Sequence, residues 1–168
     1  MSHDTSQNRV FAFLQSLTPD DTGRPAAERI DTHANVIFLS GSKAYKVKRA
    51  VSFPFLDYST LALREEACKR EIIYNARNAP DLYQKAVPVT EQPDGSLALD
   101  GSGKPIEWVV VMKRFSSDGE LDRISQSGPL GDDMSQALAT MMVAAHEKAP
   151  ERSEERRVGK ECRSRWSP

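Results

Sequence analysis

Residues 59–79, STLALREEACKREIIYNARNA, run for 21 positions without a glycine or a proline, and this uninterrupted stretch constrains the fold more than any other feature. Ser59 and Thr60 offer a capping hydroxyl at its start, and Pro80 stops its continuation, so the run predicts one long helix over 59–79. At roughly 100° of turn per residue, Leu61, Leu63, Ala67, Cys68, Ile72 and Tyr74 form one broad apolar arc. Glu71 falls near the middle of that arc, beside Arg64 and Asn75. A carboxylate in such a place must be paired or protonated, because an unpaired buried charge costs several kcal/mol.

The chain just before this helix supplies candidate partners. NVIFL and KAYKVKR flank Ser40, Gly41 and Ser42 in the pattern of a β-hairpin, although the turn lacks the strongest turn dipeptides. A period of two places Ala44, Lys46 and Lys48 on one face of the second strand, and Tyr45 and Val47 on the other, so one face packs and the other carries charge. Strand lysines are usually solvated. A glutamate buried on a facing helix gives Lys46 a reason to point inward, with Arg64, two turns away on the same helix, as the alternative partner for Glu71.

Around this core the elements are shorter. Val10, Phe11, Phe13, Leu14 and Leu17 predict an amphipathic helix over 8–17, closed by TPDD. FPFLDYST reads as a loop broken by Pro54. KAVPV and SLALD are short strand candidates, and IEWVVVMKRF is the most apolar strand. After a polar stretch, GDDMSQALATMMVAAHEK predicts a second helix, with Asp132 or Asp133 near its start and Met134, Leu138, Met141, Met142 and Ala145 at core spacing. Helix, hairpin, long helix, strands, helix is an α+β order, without βαβ alternation.

Length and charge bound the function classes. A chain of 168 residues with 39% hydrophobic content suffices for one domain with a core. Nothing at the start reads as a signal peptide or a span, so a cytoplasmic location and no membrane partner are expected. Cys68 and Cys162 form no CxxC and do not cluster with the three histidines, which excludes a disulfide framework or a thiolate metal site. Residues 152–168, RSEERRVGKECRSRWSP, look like a basic nucleic-acid arm. They also resemble the conceptual translation of a sequencing adapter, whose strand AGATCGGAAGAGC begins Arg-Ser-Glu-Glu, and are set aside like a cloning scar. Without them 17 basic and 21 acidic residues remain, a net charge of −4 instead of −1, so no nucleic-acid partner is expected. The natural protein is then expected to continue past Glu151.

A lysine on a strand, held by a helix glutamate, with a small alanine two residues before it, is how protein kinases grip the α- and β-phosphates of ATP. Here KAYK, Lys43 to Lys46, fills the V-A-I-K slot, and Ala44 leaves room for a flat base. The stretch from Thr32 to Val89, with AYKVK, FLDYSTL and NARNAPDLY as its specific parts, resembles the N-terminal part of the aminoglycoside-phosphotransferase-like kinases. It is most similar to a bacterial subgroup in which a P-loop ATP-binding domain follows. The resemblance covers roughly residues 10–150. It implies a protein-kinase-like small lobe over 1–115, an antiparallel sheet with one long helix, then over 116–151 a linker and the first helix of a truncated large lobe. It implies that Lys46 holds phosphate and Glu71 orients it, with Lys48 as the alternative phosphate lysine. Backbone groups from Lys113 to Phe115 would face adenine. Thr32 to Asn35 would form the turn over the phosphates, without the glycines of protein kinases.

On this reading the ligands are ATP with Mg2+ and an unidentified small-molecule acceptor, and the whole protein is an ATP-dependent phosphotransferase. Its catalytic carboxylate and magnesium ligands would follow the second helix, yet no Asp or Asn occurs after Asp133, and no P-loop sequence is present. His146, which resembles the family's helix-ending histidine, is more often structural than catalytic. The chain alone is therefore expected to be inactive, with half an ATP site and an uncovered apolar face on its last helix. Two other readings stay open. One is a non-catalytic nucleotide-sensing or interaction domain of the same fold; the other is a small nucleic-acid binder using Lys43, Lys46, Lys48 and Arg49, whose affinity would fall steeply with salt.

Overall fold

A computed structural model of the chain describes residues 5–17 and 27–149. It divides into two compact units, Met1–Ser117 and Asp118–Pro168. The expected TPDD helix stop, Cys162 and the adapter-like stretch 152–168 lie outside the described residues.

In the first unit, helix α1 (Thr5–Ser16) buries Val10, Phe11 and Leu14 along one stripe. Three antiparallel strands follow: β1 (Glu28–Asp31), β2 (Asn35–Ser40) and β3 (Lys43–Lys48). Gly41 and Ser42 alone join β2 to β3, since Ser40 pairs with Lys43. Gly41 sits at φ 55°, where the absence of a Cβ removes the steric cost, and a glycine in this first position suits a two-residue hairpin without Asn-Gly or Asp-Gly. The expected loop at FPFLDYST is instead a small hairpin, β4 (Ser52–Phe53) with β5 (Leu56–Asp57). Pro54 presets the backbone angle that its tight turn needs.

Helix α2 (Leu61–Asn75) starts on Thr60, whose hydroxyl accepts a hydrogen bond from the Leu63 amide at 3.3 Å. It stops before the expected Ala79. Proline 80 steers its predecessor away from helical angles, and residues 76–79 turn back, with the Ala79 amide donating to the Asn75 carbonyl at 2.9 Å. Strands β6 (Tyr83–Glu91), β7 (Leu97–Leu99) and β8 (Lys104–Lys113) complete a six-stranded sheet in the order β1-β2-β3-β8-β6-β7, with every neighbouring pair antiparallel. The architecture is α+β.

Both faces of the sheet are covered. Val36, Phe38, Tyr45, Val47, Val109 and Val111 pack with α1, while Ala44, Val110 and Met112 pack with Cys68 and Ile72 of α2. Central strand β8 therefore reads as a continuous apolar run, Val109 to Met112. The charged face of β3 lies under α2, with Lys46 and Lys48 turned toward the helix. The apolar arc of α2 is corrected. Leu63 and Tyr74 are exposed, and the helix's two buried residues are Arg64 and Cys68. Positions 64, 68, 71 and 75 repeat at helical spacing toward the sheet, which turns 63 and 74 outward.

The second unit is helical. A 3-10 turn at Ser117–Gly119 precedes α3 (Leu121–Gln126), which lies in the stretch read only as polar, and α4 (Asp132–Glu147). Asp132 and Asp133 both occupy the first turn of α4, where the helix dipole favours negative charge. The positions at core spacing are not in a core: Met134, Met141 and Met142 are exposed, and Leu138 and Ala145 are only half-buried. Among the described residues, no helix is long and apolar enough to cross a membrane.

Candidate functional site

The face of the sheet under α2 carries a cluster of three charges. In the β2–β3 ladder Asn35 lies opposite Lys48, and Ile37 opposite Lys46, so these four side chains share the α2 face. Glu71 projects from the second turn beyond Arg64 on the inward stripe of α2. Its Oε1 accepts from Lys46 Nζ at 2.8 Å, and its Oε2 accepts from Lys48 Nζ. One carboxylate is thus shared by two ammonium groups, and the cluster carries a surplus positive charge.

The two lysines differ in access. The Lys46 side chain keeps 22% of its surface exposed, against 6% for Lys48 and 10% for Glu71. Lys48 Nζ also lies 5.4 Å from the centre of the Tyr58 ring, a cation–π contact that holds it inside. Lys46 is the more exposed of the two cations. Burial would push the Glu71 carboxyl up, but hydrogen bonds and charge from Lys46 and Lys48 outweigh it and hold the group below the ordinary 4.5. It is a carboxylate at neutral pH. Beneath it, burial pushes the Cys68 thiol up to about 12 against the opposing pull of Lys48, so Cys68 is an inert packing residue.

The other expected site residues are placed as follows. Ala44 is 4% exposed and packs with Cys68, Val110 and Met112. Lys113 ends β8, and its amide donates to the Leu82 carbonyl at 2.9 Å; the Arg114 amide donates to the Ser42 carbonyl at 2.8 Å, so neither is offered to a ligand. Phe115 is exposed. Thr32 to Asn35 forms the turn between β1 and β2, at the Lys48 end of the hairpin. Its outer amides are spent internally, Thr32 N to Asn35 O at 2.9 Å and Asn35 N to Thr32 Oγ1 at 3.0 Å. Asn35 Oδ1 is buried without a hydrogen-bond partner, and as an acceptor it has the wrong polarity for phosphate. His146 is exposed in the last turn of α4. No group of three or more metal-ligating side chains occurs among the described residues.

Sequence reasoning missed a second polar cluster, Arg64, Glu107 and Gln7. Arg64 does not pair with Glu71; its Nε donates to both oxygens of Glu107, at 2.8 and 3.0 Å. The Gln7 amide donates to Glu107 Oε2 at 2.7 Å and to the Lys48 carbonyl at 2.9 Å, and its own oxygen accepts from the Ala50 amide at 2.9 Å. The signal was a glutamate inside the apolar run IEWVVVM, the same anomaly that marked Glu71 on its helix.

Over 128 residues the chain is 30% identical to an uncharacterized protein of Mycobacterium bovis and, to the same extent, to two uncharacterized proteins of Mycobacterium tuberculosis. The alignment covers 76% of this chain and 24% of each relative, so the chain spans about a quarter of the length of the curated relatives it matches. No family model matches the sequence. No solved structure matches it either.

Proposed function

We propose that the first unit is the nucleotide-binding small lobe of an ATP-dependent, aminoglycoside-phosphotransferase-like kinase, with Lys46 meeting the phosphates and Glu71 holding its ammonium in place. The observation that carries this reading is the Lys46–Glu71 contact at 2.8 Å, made by the one partly exposed cation of a cluster whose charge is not balanced. A surplus ammonium at a half-open position is a complement for an anion, and one fixed by a carboxylate meets phosphate oxygens without first losing rotamer freedom. The topology supports the same reading: three meandering strands, a helix carrying the glutamate, then three more strands of the sheet, placed so that β8 lies between β3 and β6. Lys48 is assigned a different role from Lys46, that of a permanent counter-charge which keeps Glu71 ionised whichever way Lys46 points.

ATP with Mg2+ fits this site at the triphosphate only. Lys46 would hold the phosphates, and none of the described residues is assigned to the metal. Titration of a fluorescent ATP analogue into the chain is the test. Saturable binding competed by ATP is expected in the wild type, with Lys46→Ala weakening it at least about tenfold, as for loss of one charge-assisted hydrogen bond. Glu71→Gln should weaken it less. Binding that survives Lys46→Ala and disappears in Lys48→Ala would overturn the assignment of the two lysines; no saturable binding at all would sink the nucleotide reading.

A further inference from the structure

The Lys46–Glu71 contact joins β3 to α2, and one buried side chain of α1 is linked to both, to the end of β3 directly and to α2 through Glu107. Gln7 of α1 binds the Lys48 carbonyl and the Ala50 amide, and so grips the end of the strand that carries Lys46 and Lys48. The same carboxamide binds Glu107, which holds Arg64 near the start of α2. Arg64 Nη1 also donates to the Tyr58 carbonyl at 3.0 Å and the Ser59 carbonyl at 3.3 Å, tying the helix start to the chain that leads into it. By alternation with Val109 and Val111, Glu107 belongs to the α1 face of β8. The last rung between β3 and β8 is Val47 with Val109, so at Glu107 the neighbouring strand has ended. There the arginine of α2 meets a carboxylate from the opposite face.

Glu107 is fully buried, Arg64 is 3% exposed and Gln7 6%. Arg64 and Glu71 stand seven residues apart on one stripe, about 10 Å along the helix axis. A slide or rotation of α2 that breaks Arg64 from Glu107 therefore also carries Glu71 off the lysines. We propose that Gln7, Glu107 and Arg64 are positioning residues for the Lys46–Glu71 contact, and that α1 thereby controls the anion-binding site from behind the sheet. This rests on the nucleotide reading for its functional meaning, but not for its geometry.

The test needs no nucleotide. The chain is acetylated with limiting acetic anhydride, and labelling of Lys46 is measured against exposed Lys104 by mass spectrometry in four forms: wild type, Gln7→Met, the double variant Arg64→Met with Glu107→Leu, and Arg9→Ala. Gln7→Met keeps the apolar stem and removes every polar contact. The double variant exchanges a buried ion pair for apolar residues, a replacement that folded proteins commonly tolerate. Arg9→Ala, on the same helix as Gln7, breaks the surface pair with Glu91 of β6 and serves as the control.

The Lys46 to Lys104 ratio is expected to rise at least about fivefold in the first two variants, the change in an opening equilibrium that follows loss of even one buried hydrogen bond. It should stay at the wild-type value in Arg9→Ala. A ratio that does not rise in the folded double variant overturns the proposal. So does an equal rise in Arg9→Ala, because general loosening of α1 would then be the cause. If Gln7→Met does not fold, the double variant decides; a double variant that is itself unfolded also overturns the proposal, since the cluster would then hold the fold together and not the position of α2. A wild-type chain that binds no ATP analogue, with the labelling contrast intact, would remove the nucleotide reading and leave the positioning result standing.

Discussion

Glu71→Gln and Lys48→Met change one charge each in the same cluster and should differ sharply in stability. Glu71→Gln preserves shape but leaves two ammonium groups with no counter-charge, on side chains 22% and 6% exposed. Stripping one partner from a buried ion pair costs about 3–5 kcal/mol, and because Lys46 reaches water the lower end applies, about 3 kcal/mol. Lys48→Met leaves Lys46 and Glu71 as a balanced pair at 2.8 Å. It loses the contact with the Tyr58 ring, worth about 0.5–1 kcal/mol, and regains the cost of keeping one ammonium out of water, for a net change of about 0–1 kcal/mol. Urea unfolding at neutral pH reads both. With a slope of about 1–3 kcal/mol per molar, Glu71→Gln should move the midpoint of the first unit by about 1 M or more, and Lys48→Met by a small fraction of that. Equal losses in the two variants, or a larger loss in Lys48→Met, would refute the shared-carboxylate account.

The acid limb of stability and the reactivity of Cys68 follow from the same cluster. The folded Glu71 carboxyl titrates below its ordinary 4.5, so its contribution is whole above pH 4.5 and is lost as pH falls through the lower folded value. The difference in urea midpoint between wild type and Glu71→Gln should therefore hold steady above pH 4.5 and shrink as the pH is lowered below it; a difference that does not shrink on acidification contradicts an ionised, doubly paired Glu71. With its thiol pushed up to about 12 by burial, native Cys68 should resist a thiol reagent at about pH 8 and react only after denaturation, as read by peptide mapping. Rapid native labelling of Cys68 would mean that α2 does not seat on the sheet as described.

The hairpin and the helix were legible because their signals are local. Gly41 marks the turn, Pro80 bounds the helix although it ends earlier, at Asn75, and Glu71 stands out against the residues three and four positions away. Long-range pairing was not legible in the same way. Arg64 and Glu107 are 43 residues apart, and Gln7 and Glu107 100, so periodicity on either element says nothing of the other. The misplacement of Leu63 and Tyr74 came from treating apolar residues as the buried face by default. In α2 the inward stripe is built from Arg64, Cys68, Glu71 and Asn75, and charge goes inside because each charge meets an opposite one. In α4 the periodic stripe set out an apolar face that was expected to stay uncovered, and Met134, Met141 and Met142 are exposed.

Two buried ion-pair systems with different charge balance sit about two helical turns apart on α2. Arg64 with Glu107 is balanced, almost fully buried and held by several hydrogen bonds, and such a pair holds geometry without offering charge to anything else. Lys46, Glu71 and Lys48 carry one cation more than a structural pair requires, and that extra ammonium incurs desolvation that packing alone does not return. If the second system served only to seat the helix, an apolar residue at 46 or 48 would seat it as well, and the balanced system at Arg64 already fixes the helix start. Under the proposed reading the surplus has a use: an anion entering beside Lys46 neutralises it, while Lys48 keeps Glu71 ionised and in place. The stability difference between Glu71→Gln and Lys48→Met and the binding difference between Lys46→Ala and Lys48→Ala are therefore linked, and a chain that shows the first without the second has a structural cluster and no anion site.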